Sequence, residues 1–286
     1  MFNHSFKNEA LVVHQNAVDR YNASYSEMQD SCGKLYVARE DAVEKIQKTE
    51  ALINTLAHTP KEFDTQLGEI NEHVQQFHQT EEYANLAYEG ALKAGGAILA
   101  GVTAGGAVAA AAPTVAMSIA TTFGTASTGT AISTLSGAAA QKAALAWIGR
   151  MTGGLATKGV ITGAGMSSGQ AFLALAGPVG WGISAAFTAV SLVSLNGRNK
   201  KIAEDAMAEA EKLIKARSAV RETTAQINEL FDQTDLLNHH LEEQLEENKK
   251  YRGMDYLTLT DTDKKALATL IHNTLSLAAL LNKVVE

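Results

Sequence analysis

The stretch of this chain that looks most like a chemical site is a glycine-rich run at residues 160–169, with glycines at 163, 165 and 169. Such runs bind the pyrophosphate of a dinucleotide when they join a strand to a helix. The ribose then needs an acidic residue about 20 positions further on, whereas the next one here is Glu204. No alternating strand–helix pattern surrounds the run, so we do not interpret it as a cofactor site.

The remaining reactive residue types do not form a recognisable catalytic or metal-binding pattern. His73 and His78 are five apart, and the His239–His240 pair lacks the helical spacing of a zinc motif. Cys32 lies on an apolar seam, which favours a structural thiol. Adjacent glutamates at 81–82, 242–243 and 246–247 are typical of solvated helix faces. The sequence therefore predicts a protein that is not an enzyme and has no cofactor and no metal.

Composition narrows the partners and the compartment. The net charge is −7 and no basic patch is present, which argues against nucleic-acid binding. A single cysteine fits a reducing compartment. The N-terminus has no apolar run of the kind found in secretory signals. We expect a cytoplasmic protein as synthesised, with a signal-free export route left open.

The first arm, residues 1–93, has a seven-residue apolar repeat typical of a long helix packed in a coiled-coil-like way. Its two series are Leu11, Val18, Tyr25, Cys32, Arg39, Ile46 and Ile53, and His14, Tyr21, Met28, Leu35, Ala42, Thr49 and Leu56. Arg39, Thr49 and His14 interrupt the repeat. Thr59, Pro60 and Glu62 form a helix-start pattern for a second helix. The short link predicts that the two helices are antiparallel.

The second arm, residues 198–286, shows the same helical spacing. One helix of about 50 residues is expected to run to near Tyr251, where Gly253 stops it. Thr260 and Asp263 then predict the start of a last helix, which has a wide apolar side. The predicted fold is all-α: an elongated bundle of long antiparallel coiled-coil-like helices, with a Gly/Ala-rich apolar helical hairpin inserted between the arms.

The insert, residues 94–197, differs from both arms in composition. Its only charged residues are Lys142, Arg150 and Lys158. Two uncharged windows, 97–120 and 171–195, exceed the ~20 residues that a helix needs to cross a bilayer. Both are rich in small residues, so the insert also fits the permanently buried centre of a soluble bundle. The two interpretations are compatible if the insert is sheltered first and released later.

Particular residues carry the membrane interpretation. Glycines four apart allow close contact between helices, prolines bend the apolar helices, and aromatic residues anchor at the interface or face lipid. The predicted insertion residues are Gly101, Gly105, Pro113, Phe172, Leu175, Pro178, Trp181 and Phe187. Lys142, Arg150 and Lys158 form a cationic hairpin middle that reaches the far headgroups or lines water. Positive residues at both ends, Lys93 and Arg198, favour an even number of crossings.

The layout resembles α-helical pore-forming proteins of the haemolysin E type, and it is similar to apolipoprotein-L-like proteins with a Gly/Ala-rich hairpin between amphipathic helices. The run at 125–140, followed by Trp147, Ile148 and Gly149, looks like one found in uncharacterised bacterial proteins. The resemblance concerns architecture and assigns no role to any residue. It implies a segment that is sheltered in the soluble form and enters a membrane later.

We therefore predict a bacterial toxin or effector that forms a pore or perturbs a membrane after a trigger. Its expected partners are the lipid bilayer, further copies of itself in the membrane, and a protein partner bound through the coiled-coil arms. It is expected to be membrane-associated when active. The alternative prediction is a soluble helical scaffold or adaptor with a permanently buried Gly/Ala core.

Overall fold

The computed structural model of the protein describes residues 2–93, Thr122 and 195–285. These residues are almost entirely helical, and no strand occurs among them beyond one isolated bridge between Ala57 and Asp255. The all-α prediction is thereby confirmed for this part of the chain. The helices are α1 (Phe2–Ile53), α2 (Lys61–Lys93), α3 (Leu195–Asn248) and α4 (Asp261–Leu281), with short 3₁₀ helices at Lys249–Tyr251 and Tyr256–Thr258.

The seven-residue repeat of α1 is confirmed by its burial. Every member of the two predicted series is buried except Leu11, which is partly buried. A third series, one residue before the first, is buried as well, and it consists mostly of small side chains: Ala10, Ala17, Ser24, Ser31, Ala38, Lys45 and Leu52. Helix α1 therefore buries three positions in every seven, and the small side chains allow a neighbouring helix to approach closely.

That close neighbour is α3, and the two helices run in the same direction. The residue numbers of contacting pairs increase together along the two helices. Arg217 bonds to Ser24 and Asn238 to the Ala38 carbonyl, and beyond the two helices Asp255 bonds to His58. The predicted antiparallel arrangement is wrong for this pair. A short link reverses the chain and makes consecutive helices antiparallel, but the 94–194 segment that separates these two arms imposes no such reversal.

Within each arm the helices are antiparallel, because the links are short. Helix α2 runs back along α1, pairing Asn71 with Glu50 and Glu81 with Tyr36. Helix α4 likewise runs back along α1 and α3, and it brings Thr274 against Thr49. Helices α2 and α4 therefore run parallel to each other and opposite to α1 and α3.

The turns follow the predicted start and stop signals. Helix α2 begins at Lys61, one residue after the predicted first position, Pro60. The chain leaves α3 through Gly253, whose φ of 75° suits glycine. At the start of α4, the Thr260 side chain accepts from the Asp263 backbone and the Asp263 side chain accepts from the Thr260 backbone. The sequence predicted a helix start at these residues, and the structure shows that it is a capping box.

Two main apolar cores hold the helices together. The larger core lies where all four helices meet and includes Ile46, Ile70, Phe77, Leu241 and Leu270. The second lies between α1 and α3 and includes Met28, Leu35, Leu213, Ile227 and, from the C-terminal tail, Val285. Full burial of side chains of this size stabilises the fold by roughly 1.5–3 kcal/mol each.

Candidate functional site

The residues predicted to enter a membrane lie outside the described part of the chain. This holds for Gly101, Gly105, Pro113, Phe172, Leu175, Pro178, Trp181 and Phe187, and for the cationic middle residues Lys142, Arg150 and Lys158. Their insertion role stays a prediction. No helix among the described residues is both long enough and apolar enough to cross a bilayer.

Apart from the three residues at the start of α3, one residue of the insert is described, and it is packed against the arms. Thr122 is helical and has 0% of its surface exposed. Its backbone carbonyl accepts a hydrogen bond from the Val285 amide at 3.1 Å. Its side chain is hydrogen-bonded to the Cys32 thiol on α1. Thr122 therefore joins the insert both to α1 and to the C-terminal tail.

The C-terminal tail that meets Thr122 is itself held by Arg39. The guanidinium of Arg39 donates from one terminal nitrogen to the Lys283 carbonyl at 2.5 Å, and the side chain is 0% exposed. Lys283 follows the end of α4 at Leu281, where backbone carbonyls have no partner within the helix and the helix dipole is negative. A cation at this place both satisfies a carbonyl and opposes the dipole.

The environment of Arg39 is unusual for a charged group. Burial lowers the pKa of Arg39 to about 9, and the nearby Cys32 acts in the opposite direction. The side chain is therefore still a cation at neutral pH. A fully buried cation is costly unless its hydrogen bonds are good, so the geometry at Lys283 matters for stability. We call Cys32, Arg39, Thr122, Lys283 and Val285 together the insert-docking contact.

The thiol in this contact is not poised for chemistry. Burial raises the pKa of Cys32 to about 12, and this outweighs the opposing influence of Arg39 and of the hydrogen bond with Thr122. The thiol is therefore neutral at physiological pH, whereas nucleophilic cysteines are thiolates. Its burial at 0% exposure fits the structural role predicted for it.

A second set of polar contacts fixes the relative position of the helices. Arg217 donates to the Ser24 hydroxyl at 3.1 Å, and the Asn238 side chain donates to the Ala38 carbonyl at 2.8 Å. Lys45 pairs with Asp41 on its own helix and, at 3.7 Å, with Glu242 on α3. The three contacts that join the two helices depend on their register, so they align α1 with α3 as polar residues do in coiled coils.

A tyrosine of α1 links the far part of α2 to α1. Tyr36 donates to Glu81 at 2.8 Å and lies 3.1 Å from Glu40 of its own helix. Burial and these two carboxylates raise the pKa of Tyr36, so its hydroxyl stays protonated and can donate. Glu81 also contacts His78 at 2.9 Å. This tie lies shortly before the insert begins.

Across residues 2–93 and 195–285, no group of three or more His, Cys, Asp or Glu side chains is placed to hold a metal ion. His73 lies against the C-terminal end of α4, where the Asn282 side chain donates to its carbonyl at 2.8 Å. His239 and His240 are exposed. His73 therefore supports packing, and His239 and His240 face solvent.

Sequence reasoning missed the insert-docking contact. It noted Arg39 only as an interruption of the repeat, and the hydrogen bond to Lys283 lies 244 residues away in the chain. The available signal was a charged residue at a core position, which implies a specific buried partner. No protein-family model, curated protein or solved structure matches this chain.

Proposed function

We propose that this chain is a membrane-inserting α-helical protein, a bacterial toxin or effector, that forms a pore or perturbs a bilayer. The observation that carries the proposal is the burial of Thr122 against α1 and the C-terminal tail. A long uncharged segment needs cover in water until it reaches a bilayer, because exposed apolar surface drives aggregation. A docked Thr122 is what a sheltered insert requires.

The directions of the helices support a hairpin. Helix α2 runs toward the end of the molecule at which α1 begins, and α3 begins at that same end. Both borders of the 94–194 segment therefore lead to one side. Lys93 and Arg198 give these borders the same positive charge. An apolar segment with both borders on one side of a bilayer crosses it an even number of times.

In this proposal the arms form an elongated coiled-coil-like bundle that covers the hairpin before a trigger. Two crossings per chain cannot enclose a wide pore, so several copies assemble in the membrane. The protein is cytoplasmic as synthesised and membrane-associated when active. Its partners are the lipid bilayer and its own copies, and the arms offer a surface for a protein partner. The proposal gives it no enzymatic activity, cofactor or nucleic-acid ligand.

A single substitution tests the proposal. We expect Thr122→Cys to form a disulfide with Cys32 on oxidation, because the two native side chains are hydrogen-bonded to each other. Oxidised Thr122→Cys cannot separate the insert from α1, whereas the reduced form can. We expect the oxidised protein to release no dye from liposomes, and dithiothreitol to restore release to the wild-type level.

Two control variants show whether an effect of oxidation comes from the disulfide. Thr122→Ser cannot form a disulfide with Cys32, and Thr122→Cys combined with Cys32→Ser has no partner thiol. Oxidation should therefore leave the dye release of both variants unchanged. Equal release from oxidised and reduced Thr122→Cys would contradict undocking at this contact. Wild-type protein that neither binds nor permeabilises vesicles at any pH or lipid composition would instead favour the soluble scaffold with a permanently buried core.

A further inference from the structure

His14 is a buried histidine in the contact between α1 and α3. Only 3% of its surface is exposed, and on α1 it lies between two buried small residues, Ala17 and Ala10, the second of which clusters with Ala203 and Ala206 of α3. Its Nδ1 atom has no hydrogen-bond partner within the described part of the chain. A buried imidazole without a partner on one nitrogen is stable there only in its neutral form.

Among the described residues, one carboxylate opposes the effect of burial on the pKa of His14. On α3, Glu209 acts on it and raises its pKa, but burial has the larger effect, and the pKa of His14 is lowered overall. On α1, its nearest core neighbours one turn or two away are Leu11, Val18 and Tyr21, and burial raises the pKa of that tyrosine, which stays neutral. Helix α4 meets α1 much further along, near Arg39 and Thr49.

The position of His14 in the fold links it to the insert. Its level on α3 lies close to Glu209, and α3 begins at Leu195, roughly 20 Å away along the helix axis. The side chains that pack here are mostly alanines, which bury little apolar surface. This end of the helix pair is therefore stabilised by less apolar burial than the cluster that contains Met28 and Leu213. Among the described residues, a charge placed here acts on a part of the contact that is made largely by small side chains.

We propose that His14 is an acid-sensitive element whose protonation opens the α1–α3 contact near the end of the molecule at which α3 begins. This inference rests on the proposed function, for which it supplies the trigger. When the pH falls, the imidazole takes up a proton from water and becomes a cation in an apolar contact. Separation of the two helices hydrates that cation, and the start of α3 is freed.

The direction of the pH dependence follows from linkage. A histidine whose pKa is lower in the folded than in the unfolded chain takes up its proton more readily when the contact is open. Its stabilising contribution is complete above the ordinary histidine pKa and is lost as the pH falls below that value. The contact therefore opens on acidification and not on alkalinisation.

Hydrogen exchange of the full chain, measured by mass spectrometry at pH 7.5 and pH 5.0, tests the inference. After correction for the intrinsic rates, we expect wild-type amides at 8–20 to lose protection several-fold at the lower pH. His14→Leu should keep its protection at both values. His240→Leu, which changes an exposed histidine, should respond like the wild type. His14→Gln, which is neutral and polar, covers the case in which leucine disturbs the fold.

Dye release from vesicles of neutral and anionic phospholipid separates the two proposals. We expect release by the wild type to be faster at pH 5.0 than at pH 7.5, and His14→Leu to lose this difference. Equal loss of amide protection in the wild type and in both His14 variants would overturn the role of His14. Acid-dependent opening at 8–20 without release by any variant would support the role of His14 and contradict membrane insertion.

Discussion

Arg39→Met separates the cost of a buried cation from the anchoring that it provides. Burial lowers the pKa of Arg39 from 12.5 to about 9. At about 1.4 kcal/mol per pKa unit, this shift corresponds to a penalty on the order of 5 kcal/mol for keeping the side chain charged inside the fold. The hydrogen bond to the Lys283 carbonyl returns about 1.5–3 kcal/mol. Methionine has a similar length and no charge, so it avoids both terms.

The balance predicts that Arg39→Met raises the free energy of unfolding by about 2 kcal/mol, as measured by urea titration followed by circular dichroism. The same change should release the C-terminal tail, because Lys283 loses its partner. Faster hydrogen exchange at 282–285 would report that release. Lys48→Met, which removes an exposed cation from the same helix, should change stability by no more than about 0.5 kcal/mol. Any loss of stability in Arg39→Met would refute the reasoning, since the hydrogen bond would then outweigh the cost of burial.

Other expected outcomes concern the core, a cap and the insert. Ile227→Ala should lower the free energy of unfolding by about 2–5 kcal/mol in urea titrations, because Ile227 is fully buried, whereas Leu236→Ala, at an exposed position of the same helix, should cost less than about 1 kcal/mol. Thr260→Ala should cost about 1 kcal/mol in the same assay, since it removes the capping box of α4. Phe187→Asp should reduce dye release from liposomes strongly, and release equal to the wild type would show that the second span is wrongly placed.

The sequence was sufficient to predict features that depend on neighbouring residues. The repeat of α1, the helical hairpin of the first arm and the cap at Thr260 follow from local spacing and side-chain type, and the structure confirms them. The direction of α3 relative to α1 could not be predicted, because an apolar repeat has the same form in parallel and antiparallel pairs. What distinguishes them here is polar: the bonds of Ser24 and Ala38 to α3 are made in the parallel arrangement.

The candidate site was less predictable because its partners are far apart in the chain. Arg39, Thr122 and Val285 come from both arms and the insert, and no local pattern connects them. Burial also decides the properties of these groups. A cysteine on an apolar seam can be inert or reactive, and only its complete burial beside Thr122 identifies the Cys32 thiol as neutral.

The polar residues that interrupt the repeat of α1 connect the fold to the proposed mechanism. Apolar side chains at positions 14, 39 and 49 would pack α1 more tightly, yet the chain has histidine, arginine and threonine there, and all three are buried. Thr49 meets Thr274 of α4, Arg39 donates to the C-terminal tail that contacts Thr122, and His14 lies near small side chains that pack between α1 and α3. Each of these polar residues contributes less packing energy than an apolar one would, and it makes the stability of the contact depend on a specific partner or charge state.

A protein that must cover an apolar segment and later release it needs contacts of this kind, because a uniformly apolar seam would hold the covered state at every pH. Replacing His14 by leucine should therefore stabilise the arms and remove their response to acid. If the variant is no more stable and still responds to acid like the wild type, the polar residues in the repeat serve only to align the helices.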